Sequence, residues 1–146
     1  MAETGYGLRR QELERALAGD LDATTSRRLR HLRSENIRVE EAVAALERGD
    51  ARALGPILAA GHASLRDDYE VSTPELDMLV ALAVKAGAWG ARLTGGGFGG
   101  SIVVVAPVDR CAGIGAEVAA GYLAATGRAT EPIVTRAADG ARRVRQ

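Results

Sequence analysis

Gly95-Gly96-Gly97-Phe98-Gly99-Gly100, followed at once by Ser101-Ile102-Val103-Val104-Val105, is the stretch on which the fold turns. Five of the 18 glycines of this 146-residue chain sit in those first six positions. Backbone without Cβ atoms reaches positive φ and lets other groups come close, at an entropic cost. Two readings follow. The segment is a turn between two strands, kept small for packing, or it is one wall of an anion or substrate site. It is not a P-loop, because no Gly-Lys-Ser/Thr follows and the next element is a strand. It is not a dinucleotide fingerprint either, which needs a strand, a glycine loop and then a helix. The run Ile102 to Val105 is continuously apolar and β-branched, the mark of a strand buried on both faces or under helices. Before the glycines, Ala91-Arg92-Leu93-Thr94 reads as a short strand.

Outward from this hairpin the periodicity becomes helical. Thr73 to Ala86 has Thr73 at the N-cap, Pro74 at the first helical position, and Glu75 and Asp77 in the first turn. Leu76, Leu79, Val80, Ala83 and Val84 form its buried stripe, and Gly87 closes it. Leu8 to Ala18 is a helix with Leu13 and Leu17 on one stripe, stopped by Gly19-Asp20. From about Thr25 to Glu47, Val39, Ala42, Val43 and Leu46 follow i, i+3, i+4, i+7. Gly49 ends that helix and Asp50 caps the next, which carries Leu54, Ile57, Leu58 and Leu65. Pro56 predicts a kink in it or a late start. After β-like Ile102–Val105, Asp109 caps a helix to about Ala125 with Ile114, Val118 and Tyr122 at i, i+4, i+8. Ile133-Val134-Thr135 is a last strand candidate, and Ala138-Asp139-Gly140 is a turn signal. Helices lead and strands gather in the second half, so the expected class is α+β, with helices on one face of a small antiparallel sheet. No repeat or linker divides residues 1–146, which read as a single domain.

Composition bounds the function. Formal net charge is zero, against the basic excess of a nucleic-acid-binding domain. All but one of the 19 basic residues are arginine, Lys85 being the exception. Cys111 is alone, so neither an internal disulfide nor a thiolate zinc cluster forms, and a reducing cytoplasm is the expected setting. No apolar run reaches the roughly 18 residues of a membrane span, and the first residues lack a signal-peptide layout.

The chemistry-bearing residues are few. Arg66-Asp67-Asp68-Tyr69-Glu70 could supply a general base or metal carboxylate, but reads better as a solvated loop with a local ion pair. His31 and His62 have no metal-ligand spacing, and His31, among arginines, is expected exposed or partly packed. Arg27, Arg28, Arg30 and Arg33 span two helical turns. They are a phosphate-binding face or, better, a solvated face beside acidic neighbours. Cys111 reads as a small packed residue.

Four stretches together resemble galactokinases of the GHMP superfamily. Gly90-Ala91-Arg92-Leu93-Thr94-Gly95-Gly96-Gly97-Phe98-Gly99-Gly100-Ser101 is similar to the third conserved motif in its galactokinase form. Ser64-Leu65-Arg66-Asp67-Asp68-Tyr69-Glu70-Val71-Ser72-Thr73-Pro74-Glu75-Leu76-Asp77 is close to galactokinases specifically. Ser34-Glu35-Asn36 with Arg38-Val39, and Tyr6-Gly7-Leu8-Arg9-Arg10 with Glu14, complete the set. Leu13 stands where the family has cysteine, and so does Thr73; both look like packing swaps.

The resemblance implies the C-terminal lobe of a sugar kinase, a small antiparallel sheet with helices. It implies ATP and Mg²⁺, with galactose phosphorylated at its anomeric hydroxyl. It makes Tyr6 a sugar contact and Gly95, Gly96, Gly97, Phe98, Gly99 and Gly100 a cleft wall near the phosphates. No catalytic residue and no metal ligand carries over, because the motifs that hold them would precede Tyr6. The chain is therefore expected to correspond to the C-terminal part of a galactokinase and to be inactive alone, with an N-terminal lobe as its partner alongside galactose and ATP, and with neither nucleic acid nor membrane. The alternatives are a non-catalytic galactose-sensing or binding module with this fold, or a kinase of a related sugar.

Overall fold

The computed structural model describes residues 5–138 and 140. In chain order the elements are α1 (Gly5–Leu17), α2 (Ala23–Glu47), a 3₁₀ turn (Ala51–Ala53), α3 (Leu54–Asp67), α4 (Pro74–Lys85), β1 (Gly90–Thr94), β2 (Ser101–Val105) and α5 (Cys111–Thr126). The class is α+β: β1 and β2 form an antiparallel hairpin with Gly90 opposite Val105 and Thr94 opposite Ser101, bridged by the glycine loop. Helices α3 and α4 pack on β1, α4 also reaches β2, and α5 packs on α4.

Local chemistry sets the element boundaries. Thr73 caps α4, its hydroxyl accepting from Leu76 N–H at 3.3 Å, with Pro74 just inside. Thr73 thus does more than fill space. Asp22 caps α2 through a capping box: its carboxylate accepts from Thr24 and Thr25 N–H, and Thr25 Oγ1 accepts from Asp22 N–H at 2.8 Å. Asp50 accepts from Ala53 N–H, but it caps the 3₁₀ turn rather than α3 itself. Helix α3 starts late, at Leu54, so Pro56 falls in a first turn where a missing N–H costs nothing. Asp109 lies in a turn one residue too early to cap α5, whose N-cap position is Arg110 without a side-chain cap.

Two apolar clusters meet at the sheet. One joins Val80, Ala83 and Ala86 to Ala91, Ile114 and Val118; the other joins Leu65, Val71 and Leu76 to Leu93; Ile102 packs against both. The expected stripes of α4 and α5 supply half of the buried ones, Leu76, Val80, Ala83, Ile114 and Val118, although Val84 is half exposed. Other expectations fail. Leu17, Val39, Val43 and Leu46 all face outward, while α2 buries Ala45 and Arg28 instead. Period identifies an apolar face but not what covers it. Val103 and Val104 of β2 are exposed at 42% and 36%, not sealed between layers. Ile133-Val134-Thr135 forms no strand. Of the expected turn at 138–140, Asp139 lies outside the described residues.

The arginine run is a solvated face at Arg30 and Arg33, which are exposed, but not at Arg28. Arg28 is 1% exposed. It donates to Glu12 of α1 (Nε to Oε2, 2.7 Å), to the Asp68 carbonyl (2.5 Å) and to Glu70 (Nη2 to Oε2, 2.6 Å). Arg30 donates to Asp68 Oδ1 at 2.6 and 2.9 Å, and Arg27 to Glu70 at 3.1 Å. The acidic cluster is therefore mostly structural; only Arg66 with Asp67 keeps the expected local pair. Hydrogen bonds from Arg28 hold the Glu70 carboxyl below its ordinary range. At Glu12 burial works the other way but is outweighed by hydrogen bonds from Arg28 and Arg9.

Both histidines are buried. His31 stacks on Tyr69 with ring centroids 4.6 Å apart, and its Nδ1 lies 2.9 Å from Ser64 Oγ. Leu93 N–H donates to His62 Nδ1 at 3.3 Å, which leaves the proton on Nε2. That nitrogen faces Asp77 Oδ1 at 3.0 Å without the alignment of a good hydrogen bond. Burial lowers the pKa of both rings.

Two outcomes are expected. Arg28→Met removes the partner of two carboxylates and should cost about 3 kcal/mol in urea unfolding. Arg28→Lys should restore little, since one ammonium cannot reproduce a planar fork. A variant as stable as the parent would remove Arg28 from this role. Second, both histidines titrate below their ordinary value of 6.5 in the folded chain. Below that pH the unfolded chain binds protons the folded one refuses, so stability falls as pH drops. Thermal melts should show a lower Tm at pH 5.5 than at 7.5; a flat profile would mean the rings charge freely in the fold.

Candidate functional site

Tyr6 and the glycine loop lie about 90 positions apart in sequence and meet in space. A Cβ placed on Gly96 would sit 3.6 Å from Tyr6 Cδ2. The Phe98 ring lies on the Gly5 backbone so closely that a Cβ there would come within 2.7 Å of Phe98 Cζ. Tyr6 and Phe98 are both about half exposed, at 57% and 46%, so this corner of the hairpin opens to solvent. Of the residues read from the sequence as site residues, the structure brings together Tyr6, Gly96 and Phe98.

The loop is held by backbone, not by side-chain charge. Phe98 N–H donates to the Val71 carbonyl at 2.7 Å, from a left-handed φ of 60°. Gly97 has φ of 80°, and a Cβ there would lie 2.5 Å from the Val71 oxygen. Only glycine meets both demands at that position. Gly95, Gly99 and Gly100 also have positive φ, yet a Cβ on any of them would meet nothing within 4 Å. Their sides are open space, on which another group can rest against bare backbone.

Val71, Glu70, Arg28 and Gly5 are the positioning residues that sequence reasoning missed. Glu70 itself adopts φ of 56°, rare for a residue with a side chain. This bend turns the chain from the end of α3 into Val71, the loop's anchor. The sequence marked them only as parts of the arginine run and of the charged Ser64–Asp77 stretch, which did not distinguish surface from keystone.

The site has a narrow chemical repertoire. Gly95 to Gly100 contain no ionisable side chain, so the loop offers shape and backbone N–H groups, and Tyr6 offers a phenol that both donates and accepts. Among the described residues, no group of three His, Cys, Asp or Glu side chains could hold a metal ion. Cys111 is half-buried, its Sγ 3.3 Å from the Pro107 carbonyl.

The family model described as GHMP kinases C terminal matches residues 42–117, more than half of the chain. The chain belongs to the GHMP kinase family. Within that family it is similar to a galactokinase of Streptomyces coelicolor, at 46% identity over an alignment covering 71% of this chain and 32% of the relative. It is also similar to the crystal structure of Lactococcus lactis galactokinase complexed with galactose. There the TM-score is 0.79 at 32% identity, over 88% of this chain and 40% of that one. This GHMP kinase chain thus spans about a third of the length of the curated relative and two fifths of the solved one.

The loop geometry separates two glycines of nearly equal φ, Gly97 at 80° and Gly95 at 85°. Gly97→Ala and Gly95→Ala each force an alanine to positive φ, worth about 1–2 kcal/mol. Gly97→Ala also drives a methyl into the Val71 carbonyl and should have the clearly lower Tm. Equal melting points would mean the Val71 contact does not hold the loop.

Proposed function

We propose that this chain acts as part of an ATP-dependent galactokinase, with residues 1–146 as one domain that walls the sugar and phosphate cleft. The observation that carries this reading is the meeting of Tyr6 with the glycine loop. The two stretches that resemble galactokinase cleft motifs are distant in sequence and adjacent in the fold.

In this reading the anomeric hydroxyl of galactose attacks the γ-phosphorus of ATP. The bond to ADP breaks, and the hydroxyl proton passes to a base that is not among the residues assigned here. ATP supplies the phosphoryl group, and Mg²⁺ comes with ligands from elsewhere. Tyr6 exchanges a hydrogen bond with a sugar hydroxyl. Gly95 to Gly100 present bare backbone to the transferring group, and Val71 keeps that wall at a fixed distance from Tyr6. Phosphoryl transfer is driven largely by positioning and charge neutralisation. This chain supplies positioning; the charged groups belong to the remainder of the kinase. Among the described residues no helix is long and apolar enough to cross a membrane, and a cytoplasmic setting with access to ATP fits the reading.

The isolated chain given ATP, Mg²⁺ and galactose should form no galactose 1-phosphate. Mixed with the part of the Streptomyces coelicolor galactokinase that it does not match, it should give turnover. In that mixture Tyr6→Phe should raise the galactose KM about three- to tenfold, the worth of one hydrogen bond, with little change for ATP. Turnover by the chain alone would overturn the assignment. Galactose binding with no turnover under either condition would favour the sensing module.

A further inference from the structure

The glycine loop is anchored twice outside its own hairpin. At its middle, Phe98 N–H donates to the Val71 carbonyl at 2.7 Å. At its stem, Leu93 N–H leaves the hairpin and donates to His62 Nδ1 of α3 at 3.3 Å. Both anchors converge on one side chain, Asp77 of α4. The Val71 carbonyl belongs to the planar peptide that joins Val71 to Ser72, and Ser72 Oγ donates to Asp77 Oδ1 at 2.6 Å. That length is typical of a hydroxyl on a charged acceptor. The same carboxylate oxygen faces His62 Nε2 at 3.0 Å. Accepting from Leu93 at Nδ1 leaves the ring proton on Nε2, so the positive end of the ring faces a carboxylate, though off the line of a good hydrogen bond. Asp77 is fixed in turn by its N–H, which donates to the Thr73 carbonyl at 3.0 Å.

We propose that Asp77 is a positioning residue for phosphoryl transfer: through Ser72 and His62 it locks the middle and the stem of the glycine loop into one rigid wall. The inference rests on the galactokinase reading above. Helix capping does not account for the arrangement, since Thr73 already caps α4 with its hydroxyl on Leu76 N–H. A carboxylate in the first turn also favours the helix dipole, but for that it needs neither Ser72 nor His62. The lock works through shared orientation. Without the Ser72 hydroxyl, the Val71–Ser72 peptide is free to rotate and its carbonyl no longer meets Phe98 squarely. Asp77, with 33% of its side chain exposed, then turns to solvent and leaves the His62 ring unoriented beneath Leu93. Both anchors therefore loosen together, although Ser72 and Leu93 are linked only through the Asp77 carboxylate and the ring.

Amide hydrogen exchange of the 146-residue chain, read residue by residue by NMR, tests the lock without any ligand. Ser72→Ala should speed exchange at Phe98 and at Leu93 together, each about fivefold or more, and leave Val118 of α5 within about twofold. Ser72→Thr restores the hydroxyl and should return both amides to the parent rates, and Asp77→Asn should loosen the same two. Faster exchange at Phe98 alone would mean that Ser72 acts only on its neighbour, and no change at either amide would mean no lock; both overturn the proposal. An equal rise at Val118 overturns it as well, because it marks a general loss of stability. In the mixture with the unmatched part of the Streptomyces coelicolor galactokinase, Ser72→Ala should lower kcat about tenfold with the galactose KM within about twofold, the mark of a misplaced wall, and Ser72→Thr should recover it. An unchanged kcat beside loosened amides would overturn the positioning role and leave the kinase reading standing. Coupled loosening in a chain whose parent mixture never turns over would overturn the kinase reading and leave the lock standing.

Discussion

Arg28 places a full positive charge where almost no water reaches it, and everything near the candidate site is arranged around keeping it there. Removing a guanidinium from solvent is costly unless its donors find acceptors. The acceptors come from separate places: Glu12 on α1, the Asp68 carbonyl at the end of α3, and Glu70 in the bend before α4. Meeting one side chain's needs thus fixes the positions of three segments at once. Glu70 leads into Val71, whose carbonyl holds Phe98, and Glu12 belongs to the helix that carries Tyr6. Both halves of the site hang from the same buried cation.

Much of the architecture was legible because it is local. Thr73-Pro74 announces the start of α4 by chemistry that operates within one turn. Ile114, Val118 and Tyr122 announce the inner face of α5 by spacing alone, and the switch in period after Gly87 announces the hairpin. Burial that depends on distant partners was not legible. Arg28 looks like its neighbours Arg27 and Arg30, and it is buried only because acceptors 16 to 42 residues away converge on it. His31 is sealed by Tyr69 in the same manner. On α2, valines and a leucine at helical spacing face solvent, because Ala45 and Arg28 take the inward positions.

The site was legible in composition but not in assembly. Tyr6 and the glycine loop could be singled out by resemblance, yet nothing in the sequence brought them together. Their link runs through the Val71 carbonyl, a group every residue possesses and no pattern can mark. Gly97 shows the trace of that contact in reverse, as a position where a side chain has no room. Family membership and similarity to galactokinases agree with this geometry. They also set its scale: the chain is about a third as long as the curated galactokinase it matches.

Glu12 and Tyr6 are six residues apart on α1, roughly 9 Å along the axis at 1.5 Å per residue. The helix packs along α2, is tied to Arg28 at Glu12 and meets Phe98 at its tip, so a tilt about Glu12 is read out at Tyr6. A tilt of about 10° at Glu12 swings Tyr6 through about 1.5 Å, beyond the roughly 1 Å at which misplaced groups lose catalytic effect. The stiffness of the α1–α2 contact, with the Glu12–Arg28 pair in it, therefore sets how closely the Tyr6 ring is held to the glycine loop.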